Sequence, residues 1–186
     1  MTSVAPEFSR KVRVDTLGAD PLALTIDAGA AERAALAKRF GLVGIEHLSA
    51  QVSLTRDGAN VSAIGTLDAS VTQNCVASGV PIEALIKAPF AIQFSRPPDP
   101  QRGVEEEIEL GEADCDVVFY SGADVDIGDA VAETLLLSLD PWPRAPGAEE
   151  ILKRAGIKSE EEAGIGSEEQ PSPFAALAAL KDKLKG

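Results

Sequence analysis

From Leu48 to Asp57 apolar and polar positions alternate, with Leu48, Ala50, Val52 and Leu54 set against Ser49, Gln51, Ser53 and Thr55. A period of two predicts a strand with one buried and one wet face, and Asp57-Gly58 marks a hairpin turn. The return strand sets Val61, Ala63, Gly65, Leu67, Ala69 and Val71 against Ser62, Thr66, Asp68, Ser70 and Thr72, with Ile64 breaking the pattern. After a turn at Ala77-Ser78-Gly79, a third strand aligns Ile82, Ala84, Ile86, Ala88, Phe90, Ile92 and Phe94 on one face. Proline cannot donate to a ladder, so the third strand is at a sheet edge or bulged at Pro89. A further strand is expected over Asp114–Tyr120, with Cys115, Val117 and Phe119 facing the core.

Two longer segments change to a helical period. Ile26 to Gly41 is rich in alanine, has Asp27 as a candidate N-cap and ends on a glycine stop. A second helix begins near Asp126, which can cap it, with Asp129 in the positive first turn, and it carries the stripe Ile127, Val131, Leu135, Leu139 up to Pro141. A short helical stretch fits Glu149 to Ala155, whereas residues 159–170 are acidic and poor in apolar side chains. Pro173–Lys185 reads as an amphipathic helix with Phe174, Leu177, Leu180 and Leu184 on one side and Lys181, Lys183 and Lys185 near its end. The pattern predicts an α+β fold, an antiparallel β-sheet of about four to six strands packed by helices on one face. It divides the chain into a single α+β domain over residues 1–147, a flexible acidic linker over 148–172 and a C-terminal amphipathic helix over 173–186.

Charge adds the clearest functional signal. The formal net charge is −13, and residues 103–143 hold 12 of the 30 acidic residues without one Lys or Arg. Apolar runs such as Val117–Tyr120 and Leu135–Leu137 within this window indicate a folded acidic surface and not an acidic tail. Such a surface suits a basic partner. Neither an apolar leader nor a bilayer-length apolar run is present, so a cytoplasmic protein is expected.

Several chemistries find no support. Cys75 and Cys115 form no Cys-x-x-Cys pair and read as buried free thiols, and His47 has no second histidine for a metal pair. Counting from Asp124, Gly128 stands fifth and Glu133 tenth, whereas an EF-hand needs glycine sixth and glutamate twelfth. Asp114 and Asp116 share a strand face, but Asp-x-Asp fits a solvated face better than an acid–base pair. No catalytic, cofactor or metal site is expected.

The segment Tyr120–Gly147, with Val125-Asp126-Ile127 opening a helix that ends in Leu137-Ser138-Leu139 and Pro141, resembles the YceD family. The hairpin with Gly65 and Cys75, and Pro173-Phe174-Ala175-Ala176-Leu177, are similar to it as well. The resemblance covers about 130 residues and implies a role in accumulation of large-subunit ribosomal RNA, in bacteria or bacterially derived organelles, without a known catalytic activity. Many members carry Cys-x-x-Cys where this chain has Cys75-Val76-Ala77-Ser78, so no metal or redox role transfers.

Charge and resemblance together point to a basic large-subunit ribosomal protein, or a pre-ribosomal particle, as partner. The expected binding residues are Glu105, Glu106, Glu107, Glu109, Asp114, Asp116, Tyr120, Asp124, Asp126, Glu133, Trp142 and Arg144. Trp142 serves either that interface or packing at the helix end. The alternatives are direct ribosomal RNA binding through Arg10, Lys11, Arg13 and the terminal lysines, which the net charge disfavours, and an enzyme acting on a cationic substrate.

Overall fold

A computed structural model of the protein describes residues 6–98 and 116–157. Its frame is a five-stranded sheet in the order β2-β3-β4-β5-β6. These strands are β2 (Leu22–Asp27), β3 (Gly44–Asp57), β4 (Asn60–Asn74), β5 (Pro81–Ser95) and β6 (Asp116–Phe119). The first four are antiparallel neighbours, while β6 runs parallel to β5, pairing Ile92 to Ser95 with Asp116 to Phe119. A separate antiparallel ribbon joins β1 (Lys11–Arg13) to β7 (Asp124–Asp126). The helices are α1 (Ala30–Phe40), α2 (Ile127–Ser138) and α3 (Ala148–Arg154), and the first two pack on one face of the sheet. The fold is α+β.

The alternating residues of β3 and β4 fill the core: Leu48, Ala50, Val52, Leu54, Val61, Ala63, Leu67, Ala69 and Val71 are all buried. A bulge between Ile45 and His47 shifts the pairing at the start of β3, so that Ile45 and Leu48 both point inward although three residues separate them. His47 is exposed, with Nε2 3.0 Å from the Ser49 hydroxyl. Gly65 is required by close approach, because a Cβ there would lie 2.3 Å from the Gln51 carbonyl oxygen and 2.7 Å from the Phe90 ring. The β4–β5 register runs through Pro89 without a shift, opposite Thr66, so no bulge interrupts that ladder, and among the described residues the pairing of β5 with β6 covers Ile92 to Ser95.

Two expectations change. Ile26 and Asp27 belong to β2, and α1 starts later on Gly29, whose N–H is bound 2.7 Å from the Glu32 carboxylate. Gly41, in the left-handed conformation, ends that helix as expected. In the second change, β6 presents the opposite face to that inferred: Val117 and Phe119 are exposed, whereas Val118 packs on the core and Tyr120 is buried. The short helical stretch expected over Glu149 to Ala155 is α3, with Ala148 buried. Cys115, residues 158–172 of the expected linker and the segment 173–186 lie outside the described residues.

The helix α2 behaves as its stripe predicts, with Ile127, Val131 and Leu135 fully buried and Leu139 packed against the core. Gly128 at its start lies under the strap of residues 8–10, where a Cβ would sit 2.6 Å from the Phe8 carbonyl oxygen and 2.8 Å from the Arg10 nitrogen. In an open helix Gly→Ala gains up to about 1 kcal/mol. Here the overlap is with backbone, which cannot rotate away, so Gly128→Ala is expected to destabilise by about 1–3 kcal/mol. A lowered urea midpoint at unchanged slope checks this, and a raised midpoint would contradict the close packing.

Candidate partner-binding surface

The acidic surface is organised around the start of α2. Asp126 caps that helix, its carboxylate accepting from the Asp129 N–H at 3.3 Å, the Arg10 N–H at 2.8 Å and the Ser9 hydroxyl at 2.5 Å. The Arg10 carbonyl in turn accepts the Ile127 N–H at 3.0 Å. These bonds fix β7 and the beginning of α2 against the strap, so that the acidic side chains stand on rigid backbone.

Phe119, Tyr120, Asp124, Asp126, Asp129 and Glu133 line one depression of about 240 Å³. Asp129 lies 3.6 Å from Arg39, which also pairs with Glu7 at 3.0 Å. Asp124 and Glu133 are exposed, and among the described residues neither makes an ion pair. Phe119, 59% exposed, puts apolar area next to these carboxylates. The combination can hold a cationic side chain and cover its aliphatic stem.

The expected site residues divide in consequence. Tyr120, Asp124, Asp126 and Glu133 share the depression, but only Asp124 and Glu133 offer open carboxylates. Tyr120 is a core residue, 7% exposed, whose hydroxyl donates to the Ala59 carbonyl at 2.6 Å while the Arg96 guanidinium stacks 4.5 Å above its ring. Asp116 is exposed at the first residue of β6. Trp142 and Arg144 follow the other end of α2, and Trp142, 71% exposed, is not packed in the core. Glu105, Glu106, Glu107, Glu109 and Asp114 lie outside the described residues.

The amino-terminal basic residues are largely engaged within the chain. Lys11 and Arg13 of β1 stand opposite Asp126 and Asp124 of β7. The Arg10 guanidinium grips both oxygens of Glu32 at 2.7 and 2.8 Å, donates to the Asp27 carbonyl at 2.7 Å and stacks on Phe8 at 4.5 Å. Arg13 holds Asp15 at 2.5 Å. Forks committed in this way are poorly placed to receive phosphates.

Cys75 is a buried free thiol, with Sγ accepting the Ala145 N–H at 3.3 Å. That bond above all, followed by the Ser78 hydroxyl, lowers its pKa from 9.0 to about 7. Among the described residues no three His, Cys, Asp or Glu side chains converge to hold a metal, and no helix is long and apolar enough to cross a membrane.

The grip of Arg10 holds the Glu32 carboxyl below its ordinary value of 4.5. A depressed carboxyl stabilises the fold fully above the unfolded value, and this contribution is lost as pH falls through the folded one. Glu32→Gln is therefore expected to lower the urea midpoint at neutral pH, with the gap to the parent closing as pH falls through and below the ordinary carboxyl range. A gap independent of pH would contradict the pairing.

No curated protein and no solved structure gives a significant match. Residues 64–181 match the family described as large ribosomal RNA subunit accumulation protein YceD, a span that takes in β4 from Ile64, β5, β6, β7, α2 and α3. By that match, over more than half of its length, the chain belongs to the YceD family, whose description gives it a role in accumulation of the large ribosomal subunit's RNA.

Proposed function

We propose that the protein is a non-catalytic ribosome-biogenesis factor that supports accumulation, processing or stability of large-subunit ribosomal RNA by binding a basic ribosomal protein through the surface at the start of α2. The observation that carries this reading is the pair of open carboxylates, Asp124 and Glu133, beside the exposed Phe119 on backbone fixed by Asp126. Ribosomal proteins bear dense Lys and Arg charge that must be neutralised before they reach RNA, and an acidic surface does this while remaining displaceable by phosphate. With a net charge of −13, long-range attraction speeds the encounter and makes it sensitive to salt. Exposed aromatic and aliphatic area supplies the part of the contact that salt does not screen.

The bacterial or organellar setting, the cytoplasmic location and the 23S identity of the RNA belong to this proposal. Direct RNA binding is the competing reading. The internal engagement of Arg10 and Arg13 counts against it.

Affinity capture at low salt, with and without RNase, separates the two readings. With the parent chain, a basic large-subunit protein is expected to remain bound after RNase, and Asp124→Asn/Glu133→Gln is expected to weaken its retention about tenfold or more, as loss of two partly desolvated charge contacts would. Retention of ribosomal material that depends wholly on RNA and is indifferent to these substitutions would overturn the proposal.

A further inference from the structure

Among the described residues, two stretches of the sheet pair with a neighbour on one side only. In β5, which meets β6 over Ile92 to Ser95, the stretch before that pairing carries Glu83, Lys87 and Pro89, residues that discourage the addition of another strand. The second stretch is β2, at the far limit of the strand order, whose single neighbour is β3. Its run Leu22-Ala23-Leu24-Thr25-Ile26 has no charge, no proline and no bulge against β3. A regular, uncharged edge of this kind is a template for a further strand.

The ladder fixes which groups β2 presents outward. One residue beyond the strand, the Ala28 N–H donates to the Leu48 carbonyl at 2.9 Å across directly opposed residues, so Ile26, Leu24 and Leu22 are the residues that bond to β3. The N–H and carbonyl groups of Ala23, Thr25 and Asp27 therefore point away from the sheet. The Arg10 guanidinium agrees with this direction, reaching the Asp27 carbonyl at 2.7 Å. Among the described residues nothing occupies the corresponding groups of Ala23 and Thr25. On the helix-bearing face Ile26 is buried, but Leu24 is half-buried and Leu22 41% exposed, so the helix layer thins toward the start of β2.

We propose that β2 pairs antiparallel with β2 of a second copy of this chain about a two-fold axis at Leu24, joining the two sheets into one. Ala23 of each copy then exchanges both backbone hydrogen bonds with Thr25 of the other, and Leu22 comes to lie beside Ile26 of the second copy. A two-fold at Thr25 would instead call on the Asp27 carbonyl, which Arg10 already holds. With the axis at Leu24, Asp27 falls opposite Pro21 and Asp20 opposite Ala28, so no two acids face each other. Charge selects the occupant. For a chain of net charge −13, an uncharged and self-complementary edge is where a like-charged copy can approach, whereas a basic segment would find no carboxylate within Leu22–Ile26. The paired stretch is short, so the dimer forms as protein concentration rises, and salt strengthens it by screening the repulsion between copies. Binding of a basic partner has the opposite salt dependence. Phe119 of the acidic depression belongs to β6, at the other limit of the strand order, and this inference does not rest on the proposed ribosomal partner.

Sedimentation equilibrium of the full chain across a range of concentrations, at low and at high salt, tests the pairing. The parent is expected to dimerise more strongly at high salt. Ala23→Glu/Thr25→Glu, at two exposed positions, sets like charges directly opposite each other in both pairs and should weaken the dimer about tenfold or more. Ala23→Lys/Thr25→Glu alters the same positions but sets opposite charges across each pair, and should retain the dimer, which keeps lost pairing distinct from lost folding. A parent that stays monomeric into the millimolar range at high salt would overturn the proposal, as would a dimer indifferent to Ala23→Glu/Thr25→Glu. Equal weakening by both double variants would contradict the register centred on Leu24.

Discussion

The carboxylate of Asp126 is where three parts of the chain are joined. It terminates β7, caps α2 through the Asp129 N–H and receives the Arg10 N–H and the Ser9 hydroxyl from the amino-terminal strap. An N-cap contributes about 0.5–2 kcal/mol through the helix alone. Here the same group also closes the contact between segments more than a hundred residues apart. Phe8, fully buried, and Gly128, which has no room for a side chain, complete the joint. Without it the β1–β7 ribbon has no reason to lie across the start of α2, and Asp124 and Glu133 lose their fixed relation.

That joint explains how a chain with so much negative charge can concentrate it locally. Like charges on one short strand and one helical turn repel, and the fold offsets part of this by placing Lys11 and Arg13 opposite Asp126 and Asp124, and Arg39 beside Asp129. The remaining open carboxylates share a depression with Phe119, at the end of β6. A surface with partial internal neutralisation and a clean apolar margin discriminates among cations better than a uniformly acidic one, because a partner must match both parts.

The large hairpins were legible in the sequence because the period of two holds over most of strands fourteen or fifteen residues long, enough for one face to stand out. The α2 cap was legible as well, since an aspartate before an apolar stripe has a direct physical meaning. β6 was not: its four residues, Asp-Val-Val-Phe, carry apolar side chains on both faces, and position beside β5 rather than alternation decides that Val118 turns inward. β2 shows a readable signal in Leu22, Leu24 and Ile26, but Asp27 before an alanine run drew Ile26 into the helix. The engagement of Arg10 with Glu32 and the burial of Tyr120 against Ala59 are tertiary facts between distant residues, and no local pattern announces them.

The central claim is that the surface beside Phe119 meets a basic ribosomal protein during assembly of the large subunit. Its most direct test places a photo-crosslinkable amino acid at Phe119 in the full chain, irradiates growing cells and identifies the adduct by mass spectrometry. The account predicts a covalent adduct with a basic large-subunit protein, lost when Asp124 and Glu133 are neutralised. An adduct confined to ribosomal RNA, or one whose yield is indifferent to those two carboxylates, would contradict it.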